Sequence, residues 1–392
     1  MVHLHDMSQG ACILPQGEQY RGDAVSPKRT GTAVNAAERK RVMDEDEIIG
    51  FEALYNSMRK CQKGVLWKGS VAHFVLNDME ELYKLSRQLK DGTYKARPVV
   101  KFTITKPKKR EIISICFRDR VYQRSLNDNA LYPAMTRSFI NDNWACQSGK
   151  GTDYARERVK VFLHQMYRKH GTDFYIFQAD IHGYYPNMRH DVTNQMIRER
   201  ARPEIAERAV EVLDSQYAGN VGYNPGSQMV QIAGISALDK IDHRMKEVLR
   251  VEKYGRYMDD TLMMDTSKEK LHRCKTEYER MLKEIGLEFN PKKTRIFPVK
   301  CGFTFLGFKF VLTDTGKVLM FVSPEKVKET RQILRKLVKL YRKGRMTRKD
   351  VDRCYYDGMR KHLCKGDSTK LIERTDKYYK RLWEQKGEEH VF

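Results

Sequence analysis

No stretch of this 392-residue chain approaches the run of about 18 consecutive apolar residues that a membrane-spanning helix requires. The first ten residues carry two histidines and an aspartate but lack the apolar centre of a secretory signal. Eight cysteines, at 12, 61, 116, 146, 274, 301, 354 and 364, never fall at a C-x-x-C spacing. Neither a zinc framework nor a disulfide scaffold is therefore expected, and reduced thiols in a cytoplasmic protein are. No repeat at solenoid periods is visible. Acidic residues are also short: 51 Asp and Glu face 74 Lys and Arg, a formal net charge of +23. That surplus argues against a cation-binding surface and for a polyanion partner, nucleic acid before membrane.

What is present is ample for folding. Hydrophobic residues make up 40% and charged residues 32%, too apolar for a wholly disordered chain. The length suggests two or three packed units. Residues 1–45 are polar and aperiodic and read as an extension, flexible or ordered by a partner. From Asp46 to Leu89 the apolar spacing is helical. Residues 97–115 then alternate as a hairpin around the basic turn Lys106-Pro107-Lys108-Lys109. Helical patterns follow over 118–131 and 152–168.

Phe174 to Ile181 is a β-prone apolar run that contains Asp180 near its end. Helices are expected over 192–200, 204–216 and 228–249, and a loop over 219–226. Lys253 to Met264 reads as two short strands joined at Asp259-Asp260. A helix over 268–285 should stop at Gly286, and strand-like runs follow over 302–312 and 318–322. Pro324 then opens a basic helical tail. The irregular mixture points to α+β units around an antiparallel sheet.

The sharpest local feature is Tyr257-Met258-Asp259-Asp260, flanked by apolar residues. Adjacent aspartates make a good hairpin turn; equally, desolvating both is costly without a cation, and hard oxygen ligands suit Mg²⁺. Asp180 tips the balance. Two strand-end carboxylate sites in one sheet can converge on a pair of ions about 4 Å apart, as in-line phosphoryl transfer uses.

With these motifs the chain resembles bacterial reverse transcriptases over about Thr105 to Val322. Phe177-Gln-Ala-Asp180-Ile-His-Gly-Tyr-Tyr-Pro-Asn187 resembles the family's first catalytic block and Tyr257-Met-Asp-Asp260 its second. Gly286 to Thr294 resembles the block that follows, and Phe305-Leu306-Gly307-Phe308 the primer-grip hairpin. Lys106 to Arg110, Phe117 to Gln123 and Ala145 to Thr152 are similar to finger motifs. The resemblance implies a right-hand polymerase: fingers over 46–170 (opening with helices over 46–95), palm over 171–322 with an antiparallel sheet flanked by helices, and a helical thumb over 323–392.

It also implies roles. Asp180 and Asp259, with Asp260 assisting and the Ile181 carbonyl as a further ligand, would hold two Mg²⁺ ions, for which Mn²⁺ could substitute. The ions would activate the primer 3′-hydroxyl and stabilise the departing pyrophosphate. Tyr185 stands at the family's steric gate against ribose, while also suiting palm packing. Arg110 and Lys109 would grip the triphosphate. Lys292 or Lys293 would reach the pyrophosphate, unless that basic loop instead contacts the template. Phe305, Leu306 and Gly307 would hold the primer end.

One block departs from the family. Where Pro-Gln-Gly is common under the incoming nucleotide, this chain has Asn224-Pro225-Gly226-Ser227, with Gln231 five residues past Gly226. That form is similar to diversity-generating retroelement enzymes, in which it accompanies poor copying fidelity, and also to defence-associated branches. No zinc-type or His-Asn-His nuclease pattern follows the thumb, and no RNase H domain is expected. The tail from Phe321 carries 21 Lys and Arg against 11 Asp and Glu. Lys326, Arg331, Arg335, Lys339 and Arg342 interleave with apolar residues as an amphipathic helix, either merely solvated or tracking duplex phosphates. The readings are therefore a reverse transcriptase on a dedicated structured RNA, with a DNA primer or product and an accessory protein as further partners; a defence polymerase making an unusual or repetitive DNA; or a non-catalytic RNA-binding scaffold.

Overall fold

The computed structural model describes residues 41–105, 110–224 and 227–384, with the Arg110 side chain left out. Four helices come first: α1 (Glu45–Ile49), α2 (Phe51–Cys61), α3 (Gly69–Leu76) and α4 (Asp78–Lys90). Asp44 and Glu47 start α1 through a reciprocal capping box. Strands β1 (Val100–Ile104) and β2 (Arg110–Ser114) pair as the expected hairpin, Val100 opposite Ser114. Then come α5 (Phe117–Leu126), which runs through a wide turn into α6 (Tyr132–Thr136), and α7 (Thr152–His170).

The central sheet is antiparallel, in the order β4-β5-β3-β6. In chain order it is built from β3 (Tyr175–Asp180), β4 (Lys253–Tyr257), β5 (Asp260–Asp265) and β6 (Arg295–Pro298). Between β3 and β4 lie α8 (His190–Arg200), α9 (Pro203–Gln216), α10 (Gln228–Ala237) and α11 (Asp239–His243). Between β5 and β6 lies α12 (Lys268–Glu284). Ser267 caps the start of α12, and Gly286, at φ +76°, turns the chain out just past its end.

A second sheet of three strands, β7 (Phe303–Phe305), β8 (Phe308–Leu312) and β9 (Val318–Val322), follows. The chain closes with α13 (Pro324–Arg342), α14 (Arg348–Arg353), α15 (Lys361–Leu363) and α16 (Thr369–Glu384). Ser323 caps α13, and Pro324 takes its first turn.

The apolar run of β3 has a physical reason: both faces of the strand are buried. Phe177 and Ala179 join a core with α8 to α12 and the N-terminal helices. Phe174 and Ile176 join a different core with α7 and the three-stranded sheet. β5 alternates the same way, Met263 to one side and Leu262 and Met264 to the other. A third core, including Leu334, Tyr355 and Tyr379, lies within the final helices. Among the described residues no helix is long and apolar enough to cross a membrane.

One detail differs from the sequence expectation. Tyr257 pairs with Asp260, so the loop between β4 and β5 is Met258-Asp259 and Asp260 already belongs to a strand. The run over 302–312 turns at Leu306-Gly307, Phe305 opposite Phe308, the hairpin that the motif there resembles.

Candidate active site

The antiparallel register sets Asp180, the last residue of β3, opposite Asp260, the first of β5. Directly opposed residues project from the same face of a sheet, so the two carboxylates share one side. Asp259 occupies the adjoining two-residue turn. Its neighbour Met258 is held at φ +56°, a conformation that costs a non-glycine residue about 1–3 kcal/mol. Arg256 supports that turn from below by donating from Nη1 to the Met258 carbonyl at 2.8 Å. The guanidinium is wholly buried. Its Nε and Nη2 grip both oxygens of buried Asp242, at 2.7 and 2.6 Å, and Nη2 also donates to the Ile235 carbonyl.

The electrostatics are those of crowded, half-buried acids. Burial, then the neighbouring charges of Asp259 and Asp180, push the Asp260 carboxyl up to about 7. Burial and Asp180 raise Asp259 as well. Asp180 has local partners: Lys293 Nζ donates to Oδ1 at 2.8 Å and Asn290 Nδ2 to Oδ2 at 3.2 Å. The Asn290 amide also donates to the Asp180 carbonyl, at 2.7 Å. Of the two lysines expected here, both exposed, the structure thus brings Lys293 onto Asp180. The hydrogen bond to Asp180 raises the Lys293 ammonium in turn.

This donor set fits a divalent cation. Three carboxylate groups are gathered at one end of the sheet, and from the two whose proton affinity is raised, Asp259 and Asp260, a metal can displace protons. Among the described residues no three ligating side chains are already drawn around one point, and the Lys293 ammonium supplies the counter-charge. Ile181 lies next to Asp180. Its bridge to Phe289 is closed by the flanking residues, His182 to Glu288 and Asn290 to Asp180, so the Ile181 carbonyl takes no part in it.

Tyr185 lies beneath the turn. Its hydroxyl is 3.8 Å from Met258 Sδ, and its ring lies against Gly234 of α10. Gln231, half-buried, is one turn earlier on the same face of α10. Pro225 and Gly226 lie outside the described residues, as do Lys109 and the Arg110 side chain; the Arg110 backbone opens β2.

Leu306 and Gly307, at φ +46° and +81°, form the two-residue turn of the β7–β8 hairpin, the signs of a type I′ turn. Arg156 donates to the Leu306 carbonyl at 3.3 Å and lies 4.6 Å above the Phe308 ring. A residue not anticipated from sequence joins this hairpin to the aspartates. Trp144, fully buried, meets Phe305 edge-on at 6.0 Å. It also fills the space over Gly255 of β4, where a Cβ would stand 1.9 Å from its ring. A glycine inside a strand was the available signal of such close approach.

The expected basic helix is α13. Lys326 pairs with Glu329, Arg331 lies 5.3 Å from the Tyr378 ring centroid, and Arg342 donates to the Leu382 carbonyl, tying α13 to α16. Arg335 and Lys339 are exposed. Tyr355 and Tyr379 are buried packing residues whose hydroxyls donate to Asp376 and Asp352.

Solved structures similar to this chain include telomerase from Candida albicans in complex with a TWJ fragment of telomeric RNA, with TM-score 0.43, 12% identity, and 72% of this chain and 54% of that one covered. Apo telomerase from Candida tropicalis gives TM-score 0.41, 13% identity, and 63% and 53% coverage. The same enzyme truncated from the C-terminal domain gives 0.41, 13%, and 56% and 54%. The chain spans about half the length of each. No curated protein matches. Residues 101–310, more than half of the chain and all three strand-end aspartates included, match the family model described as reverse transcriptase (RNA-dependent DNA polymerase). The strand-end aspartates thus sit inside a domain of that family, and the chain belongs to the reverse transcriptases.

Proposed function

We propose that this protein extends a primer 3′-hydroxyl with deoxynucleotides on a dedicated structured RNA, and that it does so with low fidelity. The observation that carries the polymerase reading is the convergence of Asp180, Asp259 and Asp260 at one end of the central sheet. In this reading Asp180 and Asp259 hold two Mg²⁺ ions, with Asp260 and the Ile181 carbonyl beside them. Such ions supply Lewis acidity to the hydroxyl and charge stabilisation to the leaving pyrophosphate.

The protein's own groups do the rest. Tyr185 excludes a ribose 2′-hydroxyl from the floor of the site, with Gln231 beside it. Lys109 and Arg110 bind the triphosphate. Lys293 releases Asp180 and turns its ammonium toward the pyrophosphate, with Lys292 exposed nearby. The Leu306-Gly307 turn seats the primer end, and Lys326 and Lys339 follow the duplex backbone, with Arg331 and Arg335 binding polynucleotide from the same helix. Fingers over 46–170, palm over 171–322 and thumb over 323–392 describe the division of labour, although α7, in the expected fingers, shares its core with the palm. The infidelity rests on Pro225, which stands where the family commonly has Gln.

Sequencing the RNA that copurifies and the DNA made on it tests this reading. A single structured RNA and complementary DNA with scattered substitutions are expected, with fewer substitutions for Pro225→Gln. Accurate DNA from the wild-type protein would remove the infidelity, and a mixture of unrelated RNAs would remove the dedicated template.

A further inference from the structure

Helices α13 and α16 enclose a cleft of about 760 Å³ whose walls carry five cations and no acid. Lys328, Arg331 and Arg335 come from α13, at the i, i+3, i+7 spacing of one helix face. Lys370 and Arg374 come from α16, with Tyr378 one turn further on. The ion pairs of this region use other cations: Lys326 with Glu329, Arg348 with Asp352, Arg353 with Asp350, and Arg360 with Asp376. Among the described residues the five are thus left without a counter-charge. Arg331 Nε is in addition a buried donor with no hydrogen-bond partner there. Five like charges facing one cleft repel one another, and a buried donor without an acceptor is destabilising. An anion with several acceptors relieves both.

The shape selects the anion. At their far ends the two helices are fastened by the bond from Arg342 to the Leu382 carbonyl. Helices in contact have axes about 8–10 Å apart, so the groove that runs between them is narrower than a double helix, whose major groove alone is about 12 Å wide, and a single strand is the form that can lie along it. The cleft also borders the primer hairpin: Phe321, Val322 and Pro324 line it, and between them Ser323 donates its amide to the Gly307 carbonyl at 3.1 Å.

We infer that this cleft is a binding site for single-stranded polynucleotide, held through its phosphates by the five cations, with the Tyr378 ring as a platform for a base. It is separate from any duplex lying along the outer face of α13. The inference rests on the reverse-transcriptase reading for the source of the strand, an unpaired flank of the RNA or of the DNA.

Fluorescence anisotropy with the full chain tests it. The probes are a blunt hairpin duplex and the same hairpin carrying an oligo-uridine or an oligo-thymidine tail. Lys370→Gln with Arg374→Gln, both at exposed positions, should weaken binding of tailed hairpins several-fold. The log–log salt slope should become shallower by about 1.4, at about 0.7 for each phosphate that is no longer neutralised. Affinity for the blunt hairpin should be unchanged, and the charge-retaining pair Lys370→Arg with Arg374→Lys should restore tail binding. Preference for one tail identifies the strand as RNA or DNA. Equal weakening on blunt and tailed probes would overturn the inference by making the cleft part of a general duplex grip, and no weakening on either would overturn it outright. Deoxynucleotide incorporation, assayed separately on the wild-type protein, reports on the polymerase reading alone.

Discussion

Arg256 and Asp242 hold the residue-scale key to the site. The aspartates themselves were legible because Asp180 and the Asp259-Asp260 pair stand out against the apolar runs beside them. Their support was not, since a buried ion pair between a strand and a helix leaves no local periodic trace. Arg256→Met should cost about 3–5 kcal/mol, because Asp242 is left charged and buried. Adding Asp242→Leu should return most of that stability, as apolar replacements of buried pairs commonly do. Activity should not return with it, because the Met258 carbonyl still lacks its donor. Melting temperatures and incorporation rates measured side by side check this; joint recovery of both would show the pair to be merely structural.

Asp260 carries a pH signature of its own. A carboxyl whose folded pKa is about 7 binds a proton in the native state that the unfolded chain, with its ordinary value near 4, has lost. Without added metal this group therefore opposes folding progressively as pH rises from about 4 through 7, and its penalty is complete above. Asp260→Asn should raise the melting temperature of the metal-free protein at pH 8 and change it little at pH 4. Equal shifts at both pH values would refute the assignment.

At the scale of elements, hairpins were easier to read than their registers. Both hairpins were recognisable from their motifs, yet the first turn sits one residue earlier than expected. Tyr257 and Asp260 close the ladder, a choice made by cross-strand pairing and by Arg256 beneath rather than by turn propensity. β6 escaped notice because it is a short edge strand, Arg295–Pro298, ending in a residue strands usually avoid. Helix ends, by contrast, were plain: Gly286 and Pro324 act where their local chemistry says. The β4–Trp144–β7 contact makes an element-scale prediction. Gly255→Ala places a methyl inside the Trp144 ring and should destabilise the protein by about 1–3 kcal/mol or more. It should also impair use of the primer end, because Trp144 bears on Phe305 as well. A primer-extension assay at a temperature where the variant remains folded checks this, and undiminished extension would break the proposed link between the two hairpins.

For the molecule as a whole, composition alone pointed to a polyanion partner, and the fold distributes that charge unevenly. Lysines and arginines crowd the final helices and the cleft between α13 and α16, while three aspartates share one end of the central sheet. The α+β organisation was legible from the order of patterns. The double-sided burial of β3 and β5 explains why their apolar runs were continuous rather than alternating. Primer extension on a DNA primer annealed to an RNA template, with deoxynucleotides and Mg²⁺, tests the central claim most directly. The wild-type protein should add nucleotides dictated by the template. Asp259→Asn, folded to the same melting profile, should add essentially none, and template-directed synthesis at the wild-type rate by that variant would contradict the account.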